Sequence, residues 1–376
     1  MYKNIAIIGA SYLQLPLIEK AKEMGYTTHV FAWAANDVGE SAADHFYPIS
    51  IVNKDQILEK CREIGICGIC SIASDLAAIT VNYVANALGL SCNSPEATAR
   101  STNKHLMRLA FEQNGDPSPR SILVDANTVL ENLTLDYPVI VKPTDRSGSR
   151  GIFLLENSNE LRPAVTTALS ESFEKKVLIE EYAEGQEYSV ECISFHGQHH
   201  FLAMTLKYTT GAPHFIETGH MEPAPVDSET IERVKKTVFH ALDSLGITDS
   251  ASHSEIKIAS DGSIKIIEIG GRMGGDCIGS DLVRYSTGLD FVRMVIQVAC
   301  GIEPDFTMVC HPHAVESIFI FSQEDWNLFK RLQQEKPERI LKLVDLHLEN
   351  IGKTTNSSNR AGCYIRMYDN QSVNIQ

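Results

Sequence analysis

The segment His253–Gly275, HSEIKIASDGSIKIIEIGGRMGG, decides how this chain is read. Two strand-like apolar runs flank Asp261-Gly262, a strong short hairpin signal whose expected connection is a two-residue type I′ turn. With those residues as the turn, Ser260 pairs with Ser263, and Glu255 falls directly opposite Glu268 on one face of the sheet. Their Cβ atoms would then stand roughly 4.5–5.5 Å apart. Two carboxylates so close in a half-buried sheet repel each other unless a divalent cation bridges them, and oxygen ligands on a rigid sheet suit Mg2+. The other reading is that one carboxyl is protonated, or that Lys257 and Lys265 neutralise the pair; a one-residue slip of the turn would remove the opposition altogether.

Gly270, Gly271, Gly274 and Gly275 surround Arg272 where the second strand leaves the sheet. Glycine permits a close backbone approach and positive φ, which would carry Arg272 back over the carboxylate pair. A guanidinium there suits a phosphate or a carboxylate becoming an acyl phosphate; a plain loop with a surface arginine is the alternative.

Upstream, Lys142 lies in the apolar strand PVIVKP, and a strand lysine buried without a partner is rare. DRSGSRG follows, a flexible loop of backbone N–H groups of the kind that cradles phosphates. LIEEYAEGQE then ends a strand with Glu180, Glu181, Glu184 and Glu187, acceptors suited to adenine N6 and ribose hydroxyls, or else a solvated acidic hairpin. No Walker A pattern is present.

Residues 1–95 alternate strands (NIAIIGA, TTHVFAW, ICGICSIA) with helices (LPLIEKAKEMG, KDQILEKCREIG, DLAAITVNYVANALG), which indicates a parallel sheet with crossover helices. The first turn, GASYLQLP, has Gly9 but Ser11 and Gln14 where a dinucleotide fingerprint needs glycines, and Trp33 where it needs an acid. That argues against a nicotinamide enzyme. SPEATARSTNKHLMRLAFEQNG reads as one helix capped by Ser94, with Pro95 at its first position. Residues 96–185 and 186–300 read as two halves of a central unit, and 301–376 as a small α+β unit with a long Asn/Ser-rich loop at 354–360.

The bulk numbers exclude more than they identify. A chain of 376 residues supports two or three packed subdomains. Its net charge of −15 speaks against a nucleic-acid binder, and no window is apolar enough to span a membrane. Nine scattered cysteines and no export layout at the N-terminus read as a reduced, cytoplasmic protein, with Cys67 and Cys70 as buried strand cysteines rather than a metal or redox pair.

Taken in order, these pieces resemble the ATP-grasp superfamily, with matches spread over residues 100–275. The resemblance implies an α/β and α+β protein: an N-terminal pre-ATP-grasp domain at 1–95, a two-part ATP-grasp domain at 96–300 and a C-terminal α+β domain at 301–376. Lys104 matches the first phosphate lysine, and Lys142 the second, with the mobile loop at Ser147, Gly148, Ser149 and Gly151. IEEYAEGQE matches the hinge, with Glu180 as adenine acceptor, Glu181 and Tyr182 lending main-chain groups, and Glu187 on the ribose. Glu255 and Glu268 match the metal carboxylates, and Arg272 the arginine of E-x-N-P-R-x-G-G. Gly270 departs from that pattern, which has a further metal ligand, Asn, at this place.

EIGGRMGGDCIGSDLV and FIETGHMEPAP look most similar to L-amino-acid ligases and related carboxylate–amine ligases. The implied chemistry uses ATP and Mg2+, with Mn2+ as a substitute, to join a small carboxylate and an amine through an acyl phosphate. A homodimer is the family-level expectation. Arg272 would hold the acyl phosphate; His220 would contact the acceptor or take its proton, or else be a plain loop histidine. Ser74 and Asp75 would face substrate. Two other readings use the same residues: a bicarbonate-phosphorylating enzyme, and a non-catalytic ATP-binding regulator.

Overall fold

The computed structural model describes residues 3–146, 148, 150–212, 215–354 and 359–368. The first sheet holds β1 (Lys3–Ile8), β2 (Tyr26–Phe31), β3 (His45–Tyr47) and β4 (Gly68–Cys70), all parallel in the order β3-β2-β1-β4. From Ile5 to Ile8 both faces of β1 are buried, so that stretch reads as an unbroken apolar run. Its first turn is closed by the chain itself: Gln14 Nε2 donates to the Ile72 carbonyl at 2.8 Å, and Ser11 donates to Gln14 Oε1 at 2.8 Å. A Cβ on Gly9, which sits at φ +100°, would lie 2.9 Å from Gln14 Cδ. The side chain of Gln14 thus fills the space that a dinucleotide-binding turn keeps open.

A second, antiparallel sheet has the order β5-β8-β6-β7, from β5 (Ser121–Val124), β6 (Val139–Pro143), β7 (Phe153–Leu155) and β8 (Val177–Glu181). It packs Val141, Val177 and Ile179 against Val165 and Ala168 of the helix Leu161–Glu171. The third sheet is antiparallel and eight-stranded. It contains β9 (Gln186–Phe195), β10 (Gln198–Thr209), β11 (Glu217–Glu222), β12 (Ser250–Ile258) and β13 (Ile264–Gly270). β14 (Val315–Ile320), β15 (Ile340–Val344) and β16 (Gly362–Met367) complete it, in the order β13-β12-β9-β10-β11-β14-β16-β15. Residues 301–376, read from the sequence as a small unit of their own, join this sheet through β14 on β11. Four residues of the Asn/Ser-rich loop, 355–358, lie outside the described residues.

The helix read as continuous from Pro95 to Asn114 is broken at Asn103, which is extended at φ −121° and ψ 113°. Its side chain accepts from the His105 and Leu106 amides, the competition with helical backbone bonding that makes Asn a cap. Two helices result, Pro95–Thr102 and Lys104–Asn114, and Lys104 opens the second. Ser94 caps the first as expected, accepting from Ala97 N–H at 3.1 Å.

The decisive hairpin also differs from its reading. Ala259 pairs with Ser263, and the Gly262 amide donates to the Ala259 carbonyl at 2.9 Å, so the loop has three residues, with Gly262 left-handed at φ +81°. Pairing next to the turn is therefore one residue out from the expected register: Ile258 meets Ile264 and Ile256 meets Ile266. A bulge at Ile267 restores it, and Glu255 stands opposite Glu268 after all. Cys70 is buried on β4; Cys67 is half-buried just before it, its Sγ 4.0 Å from Cys300 Sγ.

Candidate active site

A cleft of about 200 Å3 lies where the second sheet faces the β9–β13 end of the third. Its floor is the carboxylate pair. Lys104 Nζ lies 2.8 Å from Glu268 Oε1 and also donates to the Arg146 carbonyl at 2.8 Å. Lys207 Nζ lies 2.7 Å from Glu255 Oε1 and 2.8 Å from Glu187, with Glu217 at 3.9 Å. Burial pulls both lysines down, but these carboxylates carry Lys104 above the usual lysine value and Lys207 well above it. Burial likewise pushes Glu255 up, and Lys207 with His253 reverses that and holds it well below the usual carboxylate range.

The opposite wall carries Lys142 on β6. Its ammonium lies 2.6 Å from Glu180, whose other oxygen is 2.9 Å from Arg108 Nε. Burial, with the nearby Arg108 and Lys104 charges, lowers the pKa of Lys142 although Glu180 opposes. Burial raises Glu180, and Arg108 and Lys142 bring it below its ordinary value. Arg108 also donates at 2.7 Å to the carbonyl of Ile267, the bulged residue. One guanidinium therefore ties the hinge glutamate to the irregularity that aligns the floor.

Between the walls, Glu181 is bound by Arg120 at 3.1 Å and Lys265 at 3.3 Å. The amides of Glu181 and Tyr182 donate to the Arg120 and Pro138 carbonyls. The bend that follows needs glycine: a Cβ on Gly185, at φ +116°, would fall 2.3 Å from the Ile258 carbonyl oxygen. Gly148 lines the cleft and Gly151 lies beside Pro143 and Glu171, whereas Ser147 and Ser149 are outside the described residues.

Arg272 reaches the cleft as its glycines allow, and it is gripped by Asp75: Nε to Oδ1 is 2.8 Å and Nη2 to Oδ2 is 3.0 Å. This accounts for Gly270, where a Cβ would lie 3.0 Å from Asp75 Oδ1 and 3.1 Å from Arg272 Cζ. The ion pair takes the space of the further ligand. Next to it, His253 Nδ1 bonds the fully buried Glu191, which also accepts from Gly274 N–H at 3.0 Å. Burial lowers His253, and Glu191 with Glu255 carries it up to about 9.

The sequence reasoning missed Lys207, Arg108 and the Glu191–His253 pair. A lysine inside the apolar strand AMTLKYT was the available signal for Lys207. His220 is placed elsewhere: it is wholly buried on β11, edge-on to Phe319, with Nε2 4.0 Å from Asp276, and it does not line the cleft.

Among the described residues no three His, Cys, Asp or Glu side chains gather as a metal cage. Two opposed carboxylates do remain, each holding a lysine ammonium within 2.8 Å. Positive charge already stands there, and two hard oxygen donors completed by phosphate oxygens are what Mg2+ accepts. The residues fit that ion.

Residues 135–281 match the family model of the ATP-grasp domain. Carnosine synthase 1 of Mus musculus is 24% identical over 348 residues, covering 83% of this chain and 41% of that protein. Alanine–anticapsin ligase of Bacillus subtilis is 26% identical over 307 residues, covering 72% of this chain and 64% of its own length. The chain thus spans about two fifths to two thirds of these relatives. The solved L-amino acid ligase from Bacillus licheniformis superposes with a TM-score of 0.80 at 22% identity, over 97% of this chain and 93% of that one. Phosphoribosylglycinamide synthetase from Anaerococcus prevotii gives 0.75 at 23% identity, over 97% and 94%. The shared fold extends over nearly the whole chain, and among the described residues no helix is long and apolar enough to cross a membrane.

Proposed function

We propose that this chain, whose residues 135–281 match the family model of the ATP-grasp domain, is an ATP- and Mg2+-dependent carboxylate–amine ligase joining an amino acid to an amine or a second amino acid. One observation carries the reading: Glu255 and Glu268 stand opposed on the floor of a cleft whose facing wall presents the buried Lys142. Similarity to a protein named carnosine synthase and to one named alanine–anticapsin ligase supports it.

In this reading Lys104 and Lys142 hold the triphosphate, with the backbone at Gly148 beside it. The hinge at Glu180–Glu187 takes the nucleoside, with Glu187 at the ribose. Glu255 and Glu268 would hold Mg2+, which would screen the phosphate charge. The substrate carboxylate attacks the γ-phosphorus, the bond to the β–γ bridging oxygen breaks, and ADP leaves. The amine then adds to the acyl carbon, loses a proton and expels phosphate. Arg272, fixed by Asp75, neutralises the charge that builds on the acyl phosphate. The chain's contribution is position and fixed charge. His220, buried behind Phe319, takes no part in it.

The test is Mg2+-dependent phosphate release from ATP by the purified chain with single amino acids, amino-acid pairs, and bicarbonate with an amine. Release that requires an amino acid and rises with a second amine supports the ligase. Release with bicarbonate alone replaces it by carboxyphosphate chemistry, and binding of ATP without release under any pairing overturns it.

A further inference from the structure

A second hollow, an open groove of about 1070 Å3, adjoins the nucleotide cleft and shares Asp75, Lys104, Arg146 and Glu268 with it. It runs between the N-terminal sheet and the helix Pro95–Thr102 on one side and the β6–β7 loop on the other. Its distinguishing property is chemical: large apolar side chains are turned outward into it. Trp33 is 53% exposed and Phe173 is 65% exposed, and Ile79 and Leu106 open into the same space. They come from four separate elements: the segment after β2, the helix Asp75–Leu88, the helix Lys104–Asn114, and the segment after the helix Leu161–Glu171. Single exposed apolar residues are ordinary; four converging on one concavity are not.

The charged end of this groove is the reaction centre itself. Arg146 stacks on Phe173, with Cζ 4.4 Å from the ring centre, so the phosphate-loop arm and the apolar wall meet in one contact. A ligand lying along the groove would place its polar head at Lys104 and Arg146, beside Glu268, and its body against Trp33 and Ile79. The volume is at the upper end of what encloses a drug-sized molecule and far exceeds the needs of alanine.

We propose that the groove binds the carboxylate substrate and that this substrate is an amino acid with a bulky aromatic or branched apolar side chain. The proposal rests on the ligase reading above and adds the substrate class to it.

Trp33 is one of two tryptophans in the chain, and the other, Trp326, stacks on Phe329 in the helix Gln323–Glu335, outside the groove. Binding is therefore readable without turnover. L-Phenylalanine, L-leucine and L-alanine are titrated into the full chain while tryptophan emission is followed, with Trp33→Phe as the control that assigns the signal. Phosphate release from MgATP is measured in parallel. Phenylalanine and leucine are expected to shift the emission with Kd values at least about tenfold below that of alanine. Ile79→Ser and Leu106→Ser are each expected to raise the Kd and KM for phenylalanine about tenfold while leaving the KM for ATP within about twofold. Equal affinity for alanine and phenylalanine, no shift with any of the three, or serine variants that change nothing would each overturn the groove assignment. A shift without phosphate release would support the groove and remove the ligase reading. Release with alanine alone, untouched by the serine variants, would do the reverse.

Discussion

Glu255 and Glu268 face each other across β12 and β13 because Ile267 is bulged out of the pairing between them and the turn. From the turn outward the register would set Glu255 against Ile267; the extra residue turns the second glutamate onto the cleft. Arg108 captures the Ile267 carbonyl and also binds Glu180, so the bulge is held from the opposite wall. Bulges next to active sites re-aim side chains in this way.

That opposition makes the paired carboxylates the first target. Glu268→Gln keeps an acceptor for Lys104 and removes the charge that a cation needs. Mg2+-dependent phosphate release is expected to fall by roughly 10²–10³-fold. The rise in thermal midpoint given by MgADP over ADP alone should vanish as well. Unchanged MgADP stabilisation in both Glu268→Gln and Glu255→Gln would remove these residues from the metal site.

Lys207 is buried among Glu187, Glu255 and Glu217, and its ammonium is the charge they share, with His253 Nε2 a further 3.6 Å contact to Glu255. Lys207→Met leaves three half-buried carboxylates facing one another. A loss of about 3–5 kcal/mol in urea unfolding is expected, the usual cost of removing one partner of a buried ion pair. A divalent cation can take the ammonium's place, so millimolar Mg2+ should return part of the stability to the variant and little to the parent chain. Equal Mg2+ effects on both would argue against a shared site.

Two glycines after β13 are separable by what crowds them. A Cβ at Gly274 would lie 2.6 Å from His253 Nδ1 and 2.8 Å from Glu191 Oε1, inside a fully buried pair. At Gly270 the nearest atoms are 3.0 Å away and belong to the ends of Asp75 and Arg272. Gly274→Ala is therefore expected to cost about 1–3 kcal/mol in unfolding, as overpacking does. Gly270→Ala should cost less in stability and show its effect as a raised KM for the carboxylate substrate, because Arg272 is displaced. Urea unfolding with steady-state kinetics on both variants separates the two.

The chemistry was legible wherever it was local or lay on adjacent strands. Lys142 betrayed itself as a charge in an apolar strand, and the glycine cluster announced a backbone that must turn. The Glu255–Glu268 pairing came out right although the turn was misread, because a three-residue loop and a one-residue bulge cancel. The Glu191–His253 pair was hidden for a different reason. Glu191 meets His253 because β9 lies beside β12, an adjacency between strands separated by the whole of β10, β11 and a helix. No local pattern encodes that neighbourhood. His220 misled because its flanking ETGHMEP reads as a loop, whereas the structure makes it an interior strand between β10 and β14. Asn103 divided a helix that propensity alone would continue.

Glu222, at the end of β11, is fully buried, and its oxygens accept from Thr205 Oγ1 at 2.5 Å and from Ser286 Oγ. Burial, helped by the charge of Glu191, pushes its pKa up to about 7 although the two hydroxyls oppose the rise. In the unfolded chain the same carboxyl ionises near its ordinary value of 4.5. Below that value both states are protonated and the group has no effect on stability. Between there and about pH 7 the unfolded state loses its proton first, so the folded state loses stability as the pH rises. Above pH 7 the loss is complete, at most about 3 kcal/mol for a shift of this size. Glu222→Gln removes the titration while keeping an acceptor for one hydroxyl. The variant is expected to be no more stable than the parent in urea at pH 4.5 and more stable at pH 8.5, with the difference growing through the interval between. A difference that stays constant with pH would mean that Glu222 is ionised in the folded protein and held by a partner other than these two hydroxyls.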